Sequence, residues 1–344
     1  MNRRYNIVVV GGGVTGLMAA TLLAKGSQRD ALNITLVDAV PRPVFSPDDD
    51  VALRVSAIAT GTAELFASVG AWEYTAATRV GPYTSMRIWD ESDTPESAAA
   101  LRFSADEFAI SQLGFIVENV LLQDVLLYQL DRTDTTLKFG SSIGRLRRTA
   151  RHYELDLASG ESLTADLVVG ADGARSFVRS AVGIETNEWP YEQTAFVTHL
   201  RPEMDHGGAA LQRFLRDGPL GILPLQDGRV SIVWSTTPEQ AKAALAADDA
   251  ATGRMLSEAS DYVLGNLEVA GPKGAFPLCA RHATAYVLPN LALIGDAAHA
   301  IHPLAGQGAN LGLQDAAELA AQISGAIEQG LHPGDRPVLR RYER

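Results

Sequence analysis

The sequence contains a single cysteine, Cys279, so a disulfide within the chain is excluded. A lone cysteine is more often a small buried apolar residue than a reactive thiol, and we expect that here. Basic residues are also few: 29 Lys and Arg stand against 41 Asp and Glu, a formal charge of −12. Nonspecific nucleic-acid binding needs basic side chains that neutralise phosphates, so this composition argues against it.

Long apolar runs are missing as well. The stretch 1–10 passes from two arginines into an apolar run and has no cleavage region. The apolar run is too short for a signal peptide or a membrane helix. No other segment reaches the length of a span, and no basic cluster indicates attraction to an anionic membrane. We therefore expect a cytoplasmic protein without a transmembrane segment, and we leave peripheral membrane contact and homo-oligomers open.

The opening of the chain has a β-α-β pattern. Tyr5–Val10 is a continuous apolar run typical of a strand buried on both faces, and Val14–Lys25 has helix-forming composition that ends at Gly26. A second buried strand, Asn33–Val37, is closed by Asp38. This unit predicts a parallel sheet covered by helices, and 344 residues are enough for two domains.

A glycine pattern lies between the first strand and the first helix. Residues 11–16, G-G-G-V-T-G, fit G-x-G-x-x-G: Gly11 allows the tight turn, Gly13 the approach of a pyrophosphate, and Gly16 close packing of helix and strand. Asp38 lies 22 residues beyond Gly16, where a carboxylate can bind ribose hydroxyls. The pattern predicts dinucleotide binding, with a glycine-rich turn of an unrelated α/β protein as the alternative.

The middle and the end of the chain differ from this opening. Ser85–Asp90 and Leu101–Ser104 read as a hairpin. Short strands follow at 214–215, 220–225 and 230–235, with Asp227-Gly228 as a hairpin turn. The Ala-rich run 242–251 reads as a surface helix or loop. Helices are predicted over 314–327 and from 338 onward, the second capped by Asp335. Since the second helix meets no stop signal, we expect a truncated C-terminus, with a frayed natural terminus as the alternative.

Two later segments end an apolar strand in an aspartate beside small residues. Residues 167–176, L-V-V-G-A-D-G-A-R-S, resemble the Asp-Gly motif of flavoprotein hydroxylases, and 293–299, L-I-G-D-A-A-H, resemble their Gly-Asp motif. A carboxylate in such a place can receive a polyol closely, although either aspartate could merely cap a helix. The resemblance selects FAD rather than NAD as the bound dinucleotide.

The stretch 296–312 narrows the resemblance to the aromatic-ring hydroxylases of ubiquinone biosynthesis, which are p-hydroxybenzoate-hydroxylase-like flavoprotein monooxygenases. Segments 54–58, 114–119 and 276–283 also fit that group. Val120 departs from it, since some relatives carry arginine there, and relatives continue through further C-terminal helices.

The resemblance implies a role for each matching position. Gly11, Gly13, Gly16 and Asp38 would hold the ADP half of FAD, Arg54 and Gln123 would approach the pyrophosphate and ribityl region, and Asp296 would hold the ribityl chain. Asp172 belongs to the motif shared by FAD and nicotinamide binding. The loop along the flavin ring would be formed by Pro303, Gly306, Gln307, Gly308, Ala309 and Asn310.

The resemblance also implies an α/β fold with a GR2-type, Rossmann-like FAD-binding domain and an interleaved mixed-sheet substrate domain. We assign 1–78, 106–181 and 275–344 to the FAD-binding domain and 79–105 and 182–274 to the substrate domain. In this family the sheet of the substrate domain forms the substrate pocket. Candidate wall residues are Phe214, Leu223, Pro224 and Trp234, with plain core as the alternative for each.

His299 and His302 invite a metal interpretation, which we reject because no cysteine or carboxylate cluster completes a site. His302 is expected near the flavin together with Pro303, and no side chain is assigned as an acid or base catalyst.

The resemblance implies that a transiently bound NAD(P)H reduces FAD, that O2 forms a flavin hydroperoxide, and that an electron-rich ring attacks it. The expected substrate is a polyprenyl phenol of ubiquinone biosynthesis, and other proteins of that pathway are candidate partners. The alternatives are a flavoprotein of the same fold acting on a small phenol or catalysing halogenation or reduction, and a non-catalytic flavin-binding subunit. A halogenase is disfavoured because the substrate half lacks a Trp-rich motif.

Overall fold

The computed structural model describes residues 4–302 and 307–344. Its strands, in chain order, are β1 (Tyr5–Val10), β2 (Leu32–Val37), β3 (Val55–Ala59), β4 (Val80–Tyr83), β5 (Ser85–Asp90), β6 (Leu101–Ser104), β7 (Gly114–Glu118), β8 (Thr136–Lys138), β9 (Ile143–Arg148), β10 (Tyr153–Leu157), β11 (Ser162–Ala165), β12 (Leu167–Gly170), β13 (Thr186–Pro202), β14 (Ala209–Leu215), β15 (Gly218–Pro224), β16 (Val230–Thr236), β17 (Leu267–Val269), β18 (Gly274–Ala283), β19 (Val287–Leu288), β20 (Leu291–Leu293) and β21 (His299–Ala300). Its helices are α1 (Val14–Lys25), α2 (Thr60–Ser68), α3 (Trp72–Thr78), α4 (Asn119–Leu130), α5 (Phe177–Ala181), α6 (Pro238–Ala246), α7 (Asp249–Ala259), α8 (Gln307–Glu328) and α9 (Arg336–Glu343).

A six-stranded sheet in the order β19-β20-β12-β1-β2-β8 organises the first half of the fold. Its strands from β20 to β8 run parallel, and β19 is antiparallel at one edge. Ile7 and Val9 of β1 pack in the core shared with α1, α4 and α8, whereas Val8 and Val10 pack toward the β9–β11 meander. Because both faces are covered, β1 needs the continuous apolar run that the sequence shows.

The predicted opening is confirmed. The first strand and the first helix have the predicted bounds, and the second strand begins at Leu32, one residue before the predicted start. The predicted hairpin of β5 and β6 is confirmed by their antiparallel pairing. The turn at Asp227-Gly228 joins β15 to β16, and Gly228 adopts φ +82° there.

A nine-stranded sheet dominates the second half, in the order β21-β18-β13-β16-β15-β14-β5-β6 with β17 paired to β13. One face packs against α6 and α7 in a core that includes Phe196, Ile232 and Trp234. We call the opposite side the open face. There Leu223 packs with Ala57 and Ile116 of the three-stranded sheet β3-β7-β4, so this small sheet lies against the open face.

The C-terminal helices differ in detail from their predictions. The predicted start of α8 at Gln314 is wrong, because the helix begins at Gln307 and continues through its glycines. Gly312 is accommodated because a Cβ there would lie 2.8 Å from Thr15 Oγ1 of α1, so α1 and α8 approach too closely for a side chain. Asp335 is the N-cap residue of α9, as predicted, but its side chain makes no capping hydrogen bond.

Cys279 differs from the expected buried residue. It lies half-buried on β18, and its thiol donates to the Ala280 carbonyl at 3.2 Å. The physical reason is its position near the margin of the sheet. On one side of β18 lies β13, and on the other side lies only the two-residue strand β21. The Ala-rich run 242–251, predicted as helix or loop, falls in α6, α7 and the turn between them.

Sheet membership cuts across the five predicted segments. β18 and β21 pair in the nine-stranded sheet, although 275–344 was assigned to the FAD-binding part, and β4 pairs with β7 in the small sheet. Strand pairing does not test domain boundaries, so the division stays a prediction. Among the helices formed by residues 4–302 and 307–344, none is long and apolar enough to cross a membrane.

Candidate active site

The glycine loop brings β1, α1 and the segment after β12 into direct contact. Gly11 adopts φ +116°, and its N–H donates to the Val37 carbonyl at 2.8 Å. A Cβ at Gly11 would lie 2.2 Å from the Ala171 carbonyl oxygen, and one at Gly16 would lie 2.0 Å from the Gly11 carbonyl oxygen. Gly11 therefore excludes a side chain for conformation and for space, and Gly16 excludes one for space alone.

Gly13 has the opposite surroundings. It is the N-cap residue of α1, makes no side-chain capping bond, and would place a Cβ within 4 Å of no described atom. The first N–H groups of a helix have no intrahelical acceptor, and the helix dipole favours negative charge there. The N-terminus of α1 therefore offers an open anion site of the kind that holds a pyrophosphate.

Asp38 and Gln123 both reach this loop from other elements, and their implied roles toward FAD stay predictions. The Asp38 carboxylate accepts from the Gly12 amide and, at 2.7 Å, from the Val40 amide. Gln123 on α4 donates to the Gly12 carbonyl at 2.9 Å. An ionised carboxylate has more acceptor positions than these two bonds occupy, so Asp38 retains capacity for a hydroxyl donor.

Asp172 serves first as a helix cap. It accepts from the Ser176 hydroxyl and, at 3.0 Å, from the Val178 amide, so it satisfies the N-terminus of α5. This is the alternative that the sequence left open for an aspartate after a strand. Its predicted role toward FAD and the nicotinamide stays a prediction.

Arg179 was missed by the sequence reasoning. Its guanidinium, only 7% exposed, donates to the Ala174 carbonyl and to the Ala297 carbonyl, each at 2.8 Å. Burial lowers its pKa, while Asp172 and Glu188 oppose that shift. Arg179 therefore ties the Asp-Gly segment to the Gly-Asp turn. An arginine in α5, whose other residues are uncharged, was the available signal.

Asp296 and Arg54 are charged groups without described partners. Asp296 lies in the 3₁₀ turn Gly295–Ala297 that follows β20, and its carboxylate makes no hydrogen bond or ion pair to a described residue. The Arg54 guanidinium, on the loop before β3, also lacks such a partner in the described chain. Arg54 nevertheless lies close enough to act electrostatically on Asp296.

The surroundings of Asp296 are those of an open cleft. The side chain is exposed to solvent, yet enough protein surrounds it that desolvation raises its pKa, against attraction from His299, Arg54 and Arg281. An unpaired acceptor and an unpaired cation in one cleft, beside an open helix N-terminus, fit the polyol and pyrophosphate of a dinucleotide.

Asp315 on α8 was also missed, and it holds the Gly-Asp turn. Its Oδ2 accepts from the Gly295 amide at 2.8 Å and lies 2.5 Å from His299 Nε2. His299 is thus occupied by a carboxylate of the fold. The residue was hidden from sequence reasoning because its contacts span 16 and 20 positions across the loop between β20 and α8.

The loop that carries Arg54 is held from two sides at Ala52. Glu118, which is 2% exposed, accepts from the Ala52 amide at 2.7 Å and pairs with Arg79 at 2.7 Å. His199 on β13 lies 3.0 Å from the Ala52 carbonyl through Nε2, so this nitrogen carries the proton because a carbonyl only accepts. Burial lowers the pKa of His199, which fits a neutral ring.

The predicted flavin loop is described in part. Pro303, Gly306 and the side chain of Gln307 lie outside the described residues. A Cβ at Gly308 would meet no described atom within 4 Å. Asn310 is buried, and its side chain bonds the backbone of β3. It donates to the Ala57 carbonyl at 2.7 Å and accepts from the Ala59 amide at 3.0 Å. Ala309 is half-buried between Gly308 and Asn310.

The four candidate pocket residues do not form one wall. Trp234 pairs with Leu220 and belongs to the core under α6 and α7. Pro224 lies on the same face of the sheet, because alternate residues of a strand point to one face. Phe214 and Leu223 lie on the open face instead. The structure thus separates the candidates into two and two, and their roles toward substrate stay predictions.

His302 lies next to the open face, in contact with β13. Its Nε2 lies 3.1 Å from Gln193 Oε1, and its ring packs edge-on against Tyr191 with centroids 4.9 Å apart. Among the described residues, no group of three or more His, Cys, Asp or Glu is arranged to hold a metal ion. His299 and His302 instead face different partners, Asp315 and Gln193.

Comparison with known proteins shows the family of this chain. The family model described as "FAD binding domain" matches residues 4–342. The 3-demethoxyubiquinol 3-hydroxylase of Escherichia coli (strain K12) is 36% identical over 99% of this chain and 85% of its own length. The ubiquinone biosynthesis monooxygenase COQ6 of Xenopus tropicalis is 33% identical over 98% of this chain and 82% of its own length.

Solved structures give the same fold. PqsL of Pseudomonas aeruginosa, in complex with 2-aminobenzoylacetate, has a TM-score of 0.81 at 20% identity over 99% of this chain and 91% of that one. The p-nitrophenol 4-monooxygenase PnpA of Pseudomonas putida DLL-E4 has a TM-score of 0.76 at 19% identity, covering 100% and 84%.

The fold and the dinucleotide cleft therefore define an FAD-dependent monooxygenase with the p-hydroxybenzoate-hydroxylase-like fold. More narrowly, the chain belongs to the FAD-binding family that includes the hydroxylases of ubiquinone biosynthesis. Its cofactor is FAD, and O2 and NAD(P)H are the co-substrates typical of that family. The predicted α/β fold, cofactor and enzyme class are confirmed.

Proposed function

We propose that this chain hydroxylates the aromatic ring of a lipophilic, polyprenylated phenol in ubiquinone biosynthesis. The relatives named above support the pathway, since they are similar to this chain over nearly its whole length. The observation that carries the proposal is an apolar surface beside the cofactor cleft. A phenol with a polyprenyl chain needs such a surface, because apolar contact supplies most of the binding free energy of an aliphatic chain.

That surface is the open face of the nine-stranded sheet. Strand register places apolar side chains from seven strands on it: Met86, Ile88, Phe103, Val197, Phe214, Leu223, Val233 and Phe276. Phe103, Phe214 and Phe276 are each between 38% and 43% exposed, although aromatic rings of their size are usually buried. Exposed aromatic rings on one face of a sheet favour binding of an apolar aromatic ligand.

The roles of the chain's own residues in catalysis follow from their positions. The N-terminus of α1 and Arg54 would bind the pyrophosphate of FAD, and Asp38 and Asp296 would accept hydrogen bonds from its hydroxyls. Bound FAD supplies the redox chemistry that links NAD(P)H, O2 and the substrate. The open face would orient the ring and exclude water from the reacting atoms. Asp315, Glu118, His199 and Arg179 act as positioning residues for this machinery.

The experiment is turnover with isotopically labelled O2. The purified chain, loaded with FAD and supplied with NADH or NADPH, is given phenols that carry prenyl chains of increasing length. We expect one labelled oxygen atom in the product, found by mass spectrometry, and a KM that falls as the chain lengthens. Hydroxylation of unprenylated phenols with no gain from the chain would contradict the proposed substrate class.

A further inference from the structure

We propose that His302 is a catalytic residue whose Nδ1 accepts the proton of the substrate's phenolic hydroxyl. The inference rests on the proposed function for the identity of the phenol. It begins with a bulge in β13, where pairing to β18 shifts between Pro190 and Thr194. Bulges re-aim side chains, and within this one Glu192 adopts φ +54° although it is not glycine.

The bulge brings Gln193 and Tyr191 to His302, which is 109 positions from Gln193 in sequence. Gln193 Nε2 lies 2.8 Å from the Asp217 backbone carbonyl. A carbonyl cannot donate, so this end of the amide must be the NH2 group and the other end must be the oxygen. The packing is tight as well: a Cβ at Gly218 would lie 2.5 Å from Gln193 Nε2.

This fixed amide sets the tautomer of His302. Gln193 Oε1 only accepts, so Nε2 of His302, at 3.1 Å, must carry the proton. In the neutral ring Nδ1 is then a bare acceptor. Nδ1 is buried and has no hydrogen-bond partner among the described residues. A buried polar atom without a partner is uncommon, and a ligand that donates a proton is one explanation for it.

The neutral form of the ring is favoured by its surroundings. Burial lowers the pKa of His302, and no described carboxylate pairs with it. The charged or titratable groups on the adjacent segments are Tyr191 and Glu192 on the bulge and Asp217 beyond Gln193. Of these, only the Tyr191 ring contacts the imidazole, and the Asp217 carboxylate is hydrogen-bonded to Gln240 at 3.2 Å.

The position of His302 suits a phenol on the open face. Gln193 is followed by Thr194 and Ala195, and Ala195 pairs with Phe276, one of the exposed rings of that face. In the proposed step the phenolic O–H bond breaks, the proton moves to Nδ1, and the electron pair stays on oxygen. The ring carbons ortho and para to that oxygen become more nucleophilic, and the imidazolium later returns the proton to oxygen or to solvent.

Binding and turnover test the inference separately. In the FAD-loaded chain without NAD(P)H, 4-nitrophenol serves as the probe, because its anion absorbs visible light and its neutral form does not. We expect wild-type protein to bind the anion at a pH where free probe is largely neutral, and His302→Gln to lose this shift. In turnover of a prenylated phenol, His302→Gln should lower kcat roughly 100-fold, as loss of a general base does.

The matched variants separate chemistry from structure. Gln193→Glu would place a carboxylate beside Nε2 and favour the imidazolium, so the acid limb of the kcat–pH profile should move to higher pH. His152→Gln, a half-exposed histidine beside Glu154, should leave kcat, probe ionisation and FAD content unchanged. Tyr191→Phe should keep the acid limb at its wild-type pH, since the phenol of Tyr191 is not the base.

The outcomes distinguish the two proposals. If wild type hydroxylates prenylated phenols while His302→Gln keeps its acid limb and its probe ionisation, the role of His302 is overturned and the proposed function stands. If prenylated phenols are not hydroxylated but probe ionisation depends on His302, the substrate assignment fails and the base stands. If wild type binds the probe only in its neutral form at that pH, the role of His302 is overturned, whatever the turnover of prenylated phenols.

Discussion

Gly295 and Asp315 are joined by a 2.8 Å hydrogen bond in which the Gly295 amide donates to the Asp315 carboxylate. The bond connects the turn that carries Asp296 to helix α8. Because the same oxygen also contacts His299, the Asp315 carboxylate holds the chain on both sides of Asp296, at Gly295 and at His299. Asp315 therefore holds the turn on which Asp296 lies.

Removing this carboxylate should loosen FAD. Asp315→Ala leaves the Gly295 N–H without an acceptor, a loss of about 1–3 kcal/mol, so we expect the Kd for FAD to rise about tenfold. The Kd of Asp315→Asn, which keeps one acceptor oxygen, should lie between the Kd of wild type and that of Asp315→Ala. Quenching of FAD fluorescence measures the Kd. Glu318→Ala, on the exposed side of the same helix, is the control, and equal affinities for all variants would contradict the role of Asp315.

Two glycines of the loop should fail in different ways. Gly13→Ala meets no described atom within 4 Å, so the apo protein should keep its thermal midpoint while FAD binding weakens, since the methyl group occupies the approach to α1. Gly16→Ala collides with the Gly11 carbonyl oxygen at 2.0 Å, so the fold itself should lose several kcal/mol. Calorimetry of the apo variants separates them, and equal loss of stability in both would refute this distinction.

The first strand and the first helix, which depend on local sequence patterns, were predicted correctly, whereas features that depend on distant contacts were not. Tyr5–Val10 and Val14–Lys25 were predicted at their observed bounds because their periodicity and flanking glycines are local signals. Trp234 and Leu223 could not be sorted between the two faces of the sheet from sequence. Their sides depend on which strands pair and on what packs above them, and both are non-local.

The same limit applies to the candidate site. Asp38 and Gln123 lie beside the glycine loop, and the roles toward FAD that the resemblance implies for them stay predictions. The contact between Gln193 and His302 was not foreseen, since it depends on a bulge that leaves no signal in a single sequence. The early start of α8 was missed because glycines normally weaken a helix, whereas here Gly312 packs against Thr15.

The ion pair of Glu118 and Arg79 should matter more than its exposed counterparts. Glu118 is 2% exposed and also holds the Ala52 amide, so Glu118→Ala leaves a half-buried cation and an unpaired amide, and about 3 kcal/mol of unfolding free energy should be lost. FAD affinity should fall as well, because the loop of Arg54 is released. Asp131→Ala breaks the exposed pair with Arg42 and should cost under about 1 kcal/mol. Urea unfolding compares them, and similar losses would contradict the argument.

The Asp296 carboxylate should lower the folding stability of the apo protein while it strengthens FAD binding. Burial raises its pKa above the ordinary value, so the folded protein binds this proton more tightly than the unfolded chain does. Ionisation therefore weakens folding as pH rises through the unfolded-state pKa toward the folded one, and the deficit is constant above both. Asp296→Asn removes the charge, so the apo variant should be more stable than wild type at neutral pH. The difference should shrink as pH falls below the ordinary range of an aspartate.

The same substitution should weaken FAD binding, because a neutral amide accepts hydrogen bonds from hydroxyls less strongly than a carboxylate. Thermal unfolding of the apo protein across pH and FAD titration at neutral pH measure the two effects. Asp30→Asn, at a fully exposed aspartate, should change neither. An Asp296→Asn variant that is less stable than wild type at neutral pH, or that binds FAD as tightly, would show that this carboxylate is held by the fold for its own stability rather than for the cofactor.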